Sequence, residues 1–149
     1  QDGRPLKRIL MWSKHFSSRT KWLSYVFPRR NFDEPYYCGD LVCELTTNRS
    51  KLKESHALMF SLVDKDFDPT ASIADQIPAQ NESDRSRQTW FAVYRESDAR
   101  IFHRTFDRQM RYVENLNGVF DKVLSYRSDS HIPYRYFANF IPTNAMKYS

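Results

Sequence analysis

The sequence predicts an α/β domain built on a mainly parallel sheet, and three observations point to it. Five short apolar runs are separated by polar stretches long enough to serve as crossovers. The third run, Ala57–Val63 (ALMFSLV), is apolar almost throughout, as expected of a strand covered on both faces. An apolar stripe with helical spacing fills the stretch before the fifth run.

Taken in chain order, Arg8–Ser13 (RILMWS) reads as a buried strand. A loop rich in tyrosine and arginine follows, in which Pro28 and Pro35 argue against a regular element. Cys43–Thr47 (CELTT) reads as the second strand, and Asn48–Ser55 as a polar connection of about one helical turn. Ala57–Val63 is the third strand. Residues 64–87 carry Pro69, Pro78 and several acids, and read as a surface insertion or irregular connection. Thr89–Tyr94 (TWFAVY) is the fourth strand. Residues 97–116 form an amphipathic helix that stops near Asn117-Gly118, and Lys122–Tyr126 (KVLSY) is the fifth strand. The tail from His131 is aromatic and punctuated by proline.

Length and composition bound the function. A chain of 149 residues makes one domain, able to bury roughly 68–70% of its unfolded surface. A 40% hydrophobic share excludes a disordered chain. The glycines Gly3, Gly39 and Gly118 stand too far apart for a P-loop or a dinucleotide fingerprint. The longest stretch free of charged residues is 11 residues, against about 20 for a membrane-spanning helix, and no signal-peptide pattern opens the chain. Any anchor or targeting segment is therefore expected outside it. The histidines His15, His56, His103 and His131 stand singly, so with two cysteines no zinc set is expected. The spacing of Cys38 and Cys43 permits a local disulfide and does not establish one. Asn48-Arg49-Ser50 and Asn81-Glu82-Ser83 are glycosylation sequons, surface sites in a secreted or Golgi protein.

A net charge of +5 permits a nucleic-acid partner without requiring one. Arg100, Arg104, Arg108 and Arg111 share one helical face, opposite the stripe Phe102, Phe106, Met110 and Val113. The arginines read as a solvated face, with phosphate or acidic-glycan binding as the other reading. No nucleic-acid partner is expected.

In a parallel sheet, ligands gather beyond the carboxyl ends of the strands. Three segments then lie on the working edge: Lys14–Arg19, Arg95–Ser97 and Arg127–Ser130. Trp90–Ser97 delivers Tyr94, Arg95 and Glu96 at a strand end, where a held carboxylate could take a proton. Leu124–Ser130 offers hydroxyls, a guanidinium and a carboxylate, which suit a polyhydroxylated ligand. Each segment can equally be an ordinary strand exit with solvated polar groups. No serine lies in a nucleophile-elbow pattern, so a Ser/His/Asp triad is not supported.

Five segments, in order, resemble motifs of the alpha-1,3/1,4-fucosyltransferases of glycosyltransferase family 10. Arg8–Ser13 with His15–Arg19 is similar to the pattern ILLW…F.SR, and Cys43–Ser50 to C.LT.DRS. Ser55–Phe60 is similar to S.A.VFH, and Gln88–Trp90 through Glu96-Ser97 to Q.W…ESP. Leu116–Ser130 resembles FNWTLSYR.DSD, with Pro133-Tyr134 for PYG. Together they cover roughly residues 8–136. Asn48, Asp98, His131 and Arg135 depart from the patterns.

The resemblance implies a Rossmann-like sheet forming the amino-terminal, acceptor-side half of a GT-B fold. It implies a Golgi-lumenal enzyme, part of a single-pass membrane protein, that transfers fucose from GDP-fucose to glycans of glycoproteins or glycolipids with inversion. Glu96 would be the base. Arg127, Ser128 and Asp129, with His15 and Arg19, would contact the acceptor. The donor-binding domain is expected outside this chain, which alone is expected neither to hold GDP-fucose tightly nor to catalyse transfer. No cofactor is expected in this chain, no residue of it is singled out as a metal ligand, and the resemblance leaves metal dependence open. The alternative is a non-catalytic glycan-binding remnant of the family.

Overall fold

The computed structural model describes residues 3–13, 27, 30–62, 71–79, 81–94, 116, 118–125 and 127–133. Among the described residues, seven strands form one sheet: β1 (Leu6–Met11), β2 (Pro35–Cys38), β3 (Leu41–Thr46), β4 (Ala57–Ser61), β5 (Thr89–Tyr94), β6 (Lys122–Ser125) and β7 (Ile132–Pro133). Their spatial order is β2-β3-β1-β4-β5-β6-β7. β2 is antiparallel to β3, and every other neighbouring pair is parallel. A 3-10 helix (Arg49–Glu54) joins β3 to β4, and the short helix α1 (Ile73–Gln76) lies between β4 and β5. Among the described residues no helix is long and apolar enough to cross a membrane. The predicted mainly parallel α/β sheet is present. The arginine-bearing helix of residues 97–116 falls outside the described residues except for Leu116.

Alternation along the strands divides the core between the two sheet faces. Leu10, Leu58, Phe60, Trp90 and Ala92 point to one face, where Trp12, Leu52 and Leu62 join them. Ile73 and Ile77 at α1, with Val119 and Phe120, pack against this cluster. Met11, Leu45, Met59, Val93 and Leu124 fill the other face. β4 therefore feeds both clusters, which explains its unalternating sequence. Phe60 meets Trp90 and Phe120 in tilted ring contacts at 5.1 and 5.2 Å. Each fully buried aliphatic or aromatic side chain here stabilises the fold by about 1.5–3 kcal/mol.

Five predicted strands are present: the fourth has its expected bounds, Thr89–Tyr94, whereas the first starts at Leu6, the second at Leu41, the third ends at Ser61 and the fifth at Ser125. Two strands were not expected. β2 occupies a stretch that Pro35 argued against. Proline is tolerated there because it opens an edge strand, where its missing N–H breaks no interior ladder. β7 has two residues and carries Pro133 at the opposite edge. Within residues 64–87, the described part contains α1 and a turn-rich approach to β5, and Ile73 and Ile77 anchor it to the core.

Candidate functional site

The carboxyl ends of β1, β3, β4, β5, β6 and β7 lie along one edge of the sheet. After β1 the chain goes to β2 and then β3 on one side, and after β4 it goes to β5 on the other. The connections thus part between β1 and β4, the place where open parallel sheets form a crevice. Trp12 and Ser13 leave β1 at this point, and Leu62 leaves β4.

Backbone and side-chain hydrogen bonds fix both exits. The Trp12 N–H donates to Met59 O at 3.0 Å, and the Leu62 N–H to Val93 O at 3.0 Å. The buried Ser61 N–H donates to Ser13 Oγ at 2.7 Å. The Trp12 indole N–H donates to Gln76 O in α1 at 2.8 Å. Arg49 Nη2 donates to Trp12 O at 3.0 Å, and its guanidinium carbon lies 4.2 Å from the centre of the Trp12 ring. This contact joins residues 37 apart in sequence, and no spacing rule points to it.

Two strands further along the same edge, β6 ends at the fully buried Ser125, paired in register with Tyr94 of β5. Ser125 Oγ accepts the Arg127 N–H at 3.2 Å. The Ser130 hydroxyl donates to Arg127 O at 2.9 Å and closes the turn. On its exposed rim, Arg127 Nε and Nη2 reach the two Asp129 carboxylate oxygens at 2.8 and 2.7 Å. The Arg127 hydrogen bond is the main cause that holds the Asp129 carboxyl below the usual range; desolvation opposes it, and the Arg127 charge adds a smaller lowering. Arg127, Ser128 and Asp129 thus stand together on an exposed turn at the working edge. A solvated pair of this kind contributes little to stability. His15, Arg19 and Glu96 lie outside the described residues, two, six and two positions beyond Ser13, Ser13 and Tyr94 in sequence.

The remaining singled-out residues fall away from this turn. Exposed Asn48 caps the 3-10 helix, its Oδ1 accepting the Ser50 N–H at 3.0 Å and the Ser50 hydroxyl at 2.9 Å. Asn81 sits in an exposed turn before β5. Cys38 and Cys43 form a disulfide across the β2–β3 hairpin, with Cα atoms 6.1 Å apart, and Gly39 in the turn takes φ +66°. Among the described residues no group of three or more His, Cys, Asp or Glu could hold a metal ion. His131 stands where the resembled motif has aspartate, and its Nδ1 accepts the Val123 N–H at 3.2 Å. A separate open concavity of about 780 Å³ lies by β2 and the start of β1, lined by Arg4, Leu6, Tyr37 and Val42 among others. No predicted site residue lines it.

A family profile described as fucosyltransferase, N-terminal, matches residues 4–137. The chain belongs to this fucosyltransferase N-terminal family. No curated protein matches it. The matched stretch contains all seven strands of this fucosyltransferase domain, both exits at the crevice and the Arg127–Ser130 turn. It also spans His15, Arg19 and Glu96.

Proposed function

We propose that this domain is the acceptor-binding half of a GT-B fucosyltransferase of the Golgi lumen. In that enzyme fucose passes from GDP-fucose to a glycan of a glycoprotein or glycolipid with inversion. The observation that carries the reading is the family match over residues 4–137. The Cys38–Cys43 disulfide supports a lumenal setting, since such bonds persist in oxidising compartments.

Glu96 is the base in this reading. An alcohol is a weak nucleophile at neutral pH. As the acceptor oxygen bonds to C1 of fucose, its proton passes to the Glu96 carboxylate. The bond from C1 to the phosphate oxygen breaks, and GDP leaves with its electron pair. Positive charge builds on the sugar ring during the exchange, as in glycoside hydrolysis. Arg127, Ser128 and Asp129 offer hydrogen bonds to the acceptor, and His15 and Arg19 approach it from the segment after β1. The donor domain and the membrane anchor belong to the longer protein.

The test is fucose transfer from GDP-fucose to N-glycan and N-acetyllactosamine acceptors by the longest natural form of the protein. Glu96→Gln is expected to lower kcat at least a hundredfold while circular dichroism and melting temperature stay unchanged. Activity close to the parent's would remove Glu96 from the base role. The departures at His131 and Arg135 favour a second reading, a glycan-binding remnant without turnover. Binding of glycans by a parent that transfers no fucose would select it.

A further inference from the structure

The two sequons, Asn48-Arg49-Ser50 and Asn81-Glu82-Ser83, are used differently by the fold. Asn48 caps the 3-10 helix, and its side-chain hydrogen bonds run through one atom. Oδ1 accepts the Ser50 N–H at 3.0 Å and the Ser50 hydroxyl at 2.9 Å, so the cap makes no use of Nδ2. Asn48, Arg49 and Ser50 are all exposed. At the second sequon the Ser83 hydroxyl donates to the main chain at Ala79 O, 3.2 Å away, instead of to its asparagine.

The cap alone does not require asparagine at position 48. Aspartate serves an N-cap equally well, and aspartate stands here in the motif that Cys43–Ser50 resembles. What asparagine adds is an amide nitrogen, and Ser50 sets a hydroxyl beside it. That pair is the acceptor pattern for N-glycosylation. Attachment at Nδ2 leaves the amide oxygen an acceptor, so a glycan and the cap fit on one side chain.

We infer that Asn48 carries an N-linked glycan in the folded protein, with the helix cap intact beneath it. The inference rests on the lumenal setting of the proposed function. The donor class is a polyprenyl-diphosphate-linked oligosaccharide. Nδ2 bonds to C1 of its first sugar and gives up one proton. The bond from C1 to the diphosphate oxygen breaks, and the diphosphate leaves with the electron pair. Such a glycan is compatible with the working edge. Asn48 follows β3, whereas the Arg127–Ser130 turn follows β6, four strands along the sheet. At roughly 4.8 Å per strand the two lie about 19 Å apart, so the first sugars stand over the β3 flank and not over that turn.

The experiment expresses the longest natural form of the protein in cultured eukaryotic cells. The purified protein is cut after glutamate, and the peptide Leu45–Glu54 is weighed before and after treatment with peptide-N-glycosidase. More than half of this peptide is expected to carry a glycan, whose enzymatic removal converts Asn48 to aspartate. Asn48→Asp is expected to abolish the glycopeptide, and Asn81→Gln to leave it unchanged. Protection of the domain from added protease in sealed microsomes reads the compartment separately. A protected domain with a glycan on less than half of the peptide overturns the inference and leaves the lumenal reading standing. An unprotected domain without the glycan overturns both. Melting temperature reads the cap: Asn48→Ala is expected to melt about 2–4 °C below Asn48→Asp, since only aspartate keeps the capping oxygen. Equal melting temperatures would overturn the shared use of the side chain.

Discussion

Polar residues near the amino half of the sheet couple its stability to pH. Arg8 of β1 donates through Nε to Glu44 Oε1 at 2.9 Å in β3, and also pairs with Glu54 of the 3-10 helix. Lys51 bridges Glu44 and Asp33 at 2.9 and 2.8 Å. Asp33 takes φ 59°, a conformation that aspartate tolerates better than most residues. The Arg8 hydrogen bond is the main cause that holds the Glu44 carboxyl below its ordinary value of 4.5. The folded chain therefore resists protonation there more than the unfolded chain does. The stability this confers is complete above about pH 4.5 and is lost as pH falls through the lowered folded value. His56 acts at a higher pH. Its Nδ1 accepts the Arg8 N–H at 3.3 Å, and burial, then Lys7, Arg87 and Arg8, push the imidazole below its ordinary 6.5. Its contribution is full above pH 6.5 and drains away as pH drops below that value. Glu44→Gln is expected to cost about 2–4 kcal/mol at pH 7, because it leaves the half-buried Arg8 with one acidic partner fewer. The variant should also lose less further stability than the parent below pH 4.5. Urea melts across pH 3–8 check both expectations, and a cost under about 0.5 kcal/mol would show the pair to be energetically idle.

Among the elements, the β2–β3 hairpin is the one whose stability depends on a covalent link. The disulfide closes a loop of six residues, Cys38 to Cys43. On the chain-entropy account, closing so short a loop stabilises the fold by about 2 kcal/mol. Reduction, or Cys38→Ala with Cys43→Ala, should lower the melting temperature by about 4–8 °C for a domain of this size. Differential scanning calorimetry with and without reductant measures it, and an unchanged transition would mean that pairing with β3 suffices. This hairpin also shows where sequence patterns stop being informative. β1, β3, β4, β5 and β6 were legible because residues such as Leu45, Met59 and Val93 must be apolar to fill a face. β2 lies at an edge with Tyr37 exposed, so burial imposes no pattern on it. β7 is too short to hold one. The Arg127–Ser130 turn was legible as the exit from the fifth predicted strand. The Arg49–Trp12 contact was not, because it joins two connections through a single side chain and leaves no periodic trace.

At the scale of the whole molecule, one sheet serves two ends. The amino half is braced by the ion pairs of Glu44 with Arg8 and Lys51, and the carboxyl edge carries the exposed Arg127–Ser130 turn. That separation lets the working edge keep exposed residues such as Arg127 and Asp129 without weakening the core beneath them. The fold also disposes of a hazard common to open sheets. Unpaired edge strands can recruit another chain by offering free N–H and C=O groups. Here both flanks end in a strand with a proline, Pro35 in β2 and Pro133 in β7. β2 is further screened by arginines stacked on its two tyrosines, Arg30 on Tyr36 at 4.5 Å and Arg4 on Tyr37 at 4.7 Å. Each flank thus carries a proline, which has no N–H to offer, and one flank adds positive charge. The features that hid these strands from a sequence pattern are therefore the ones that discourage edge-to-edge aggregation of the sheet in solution.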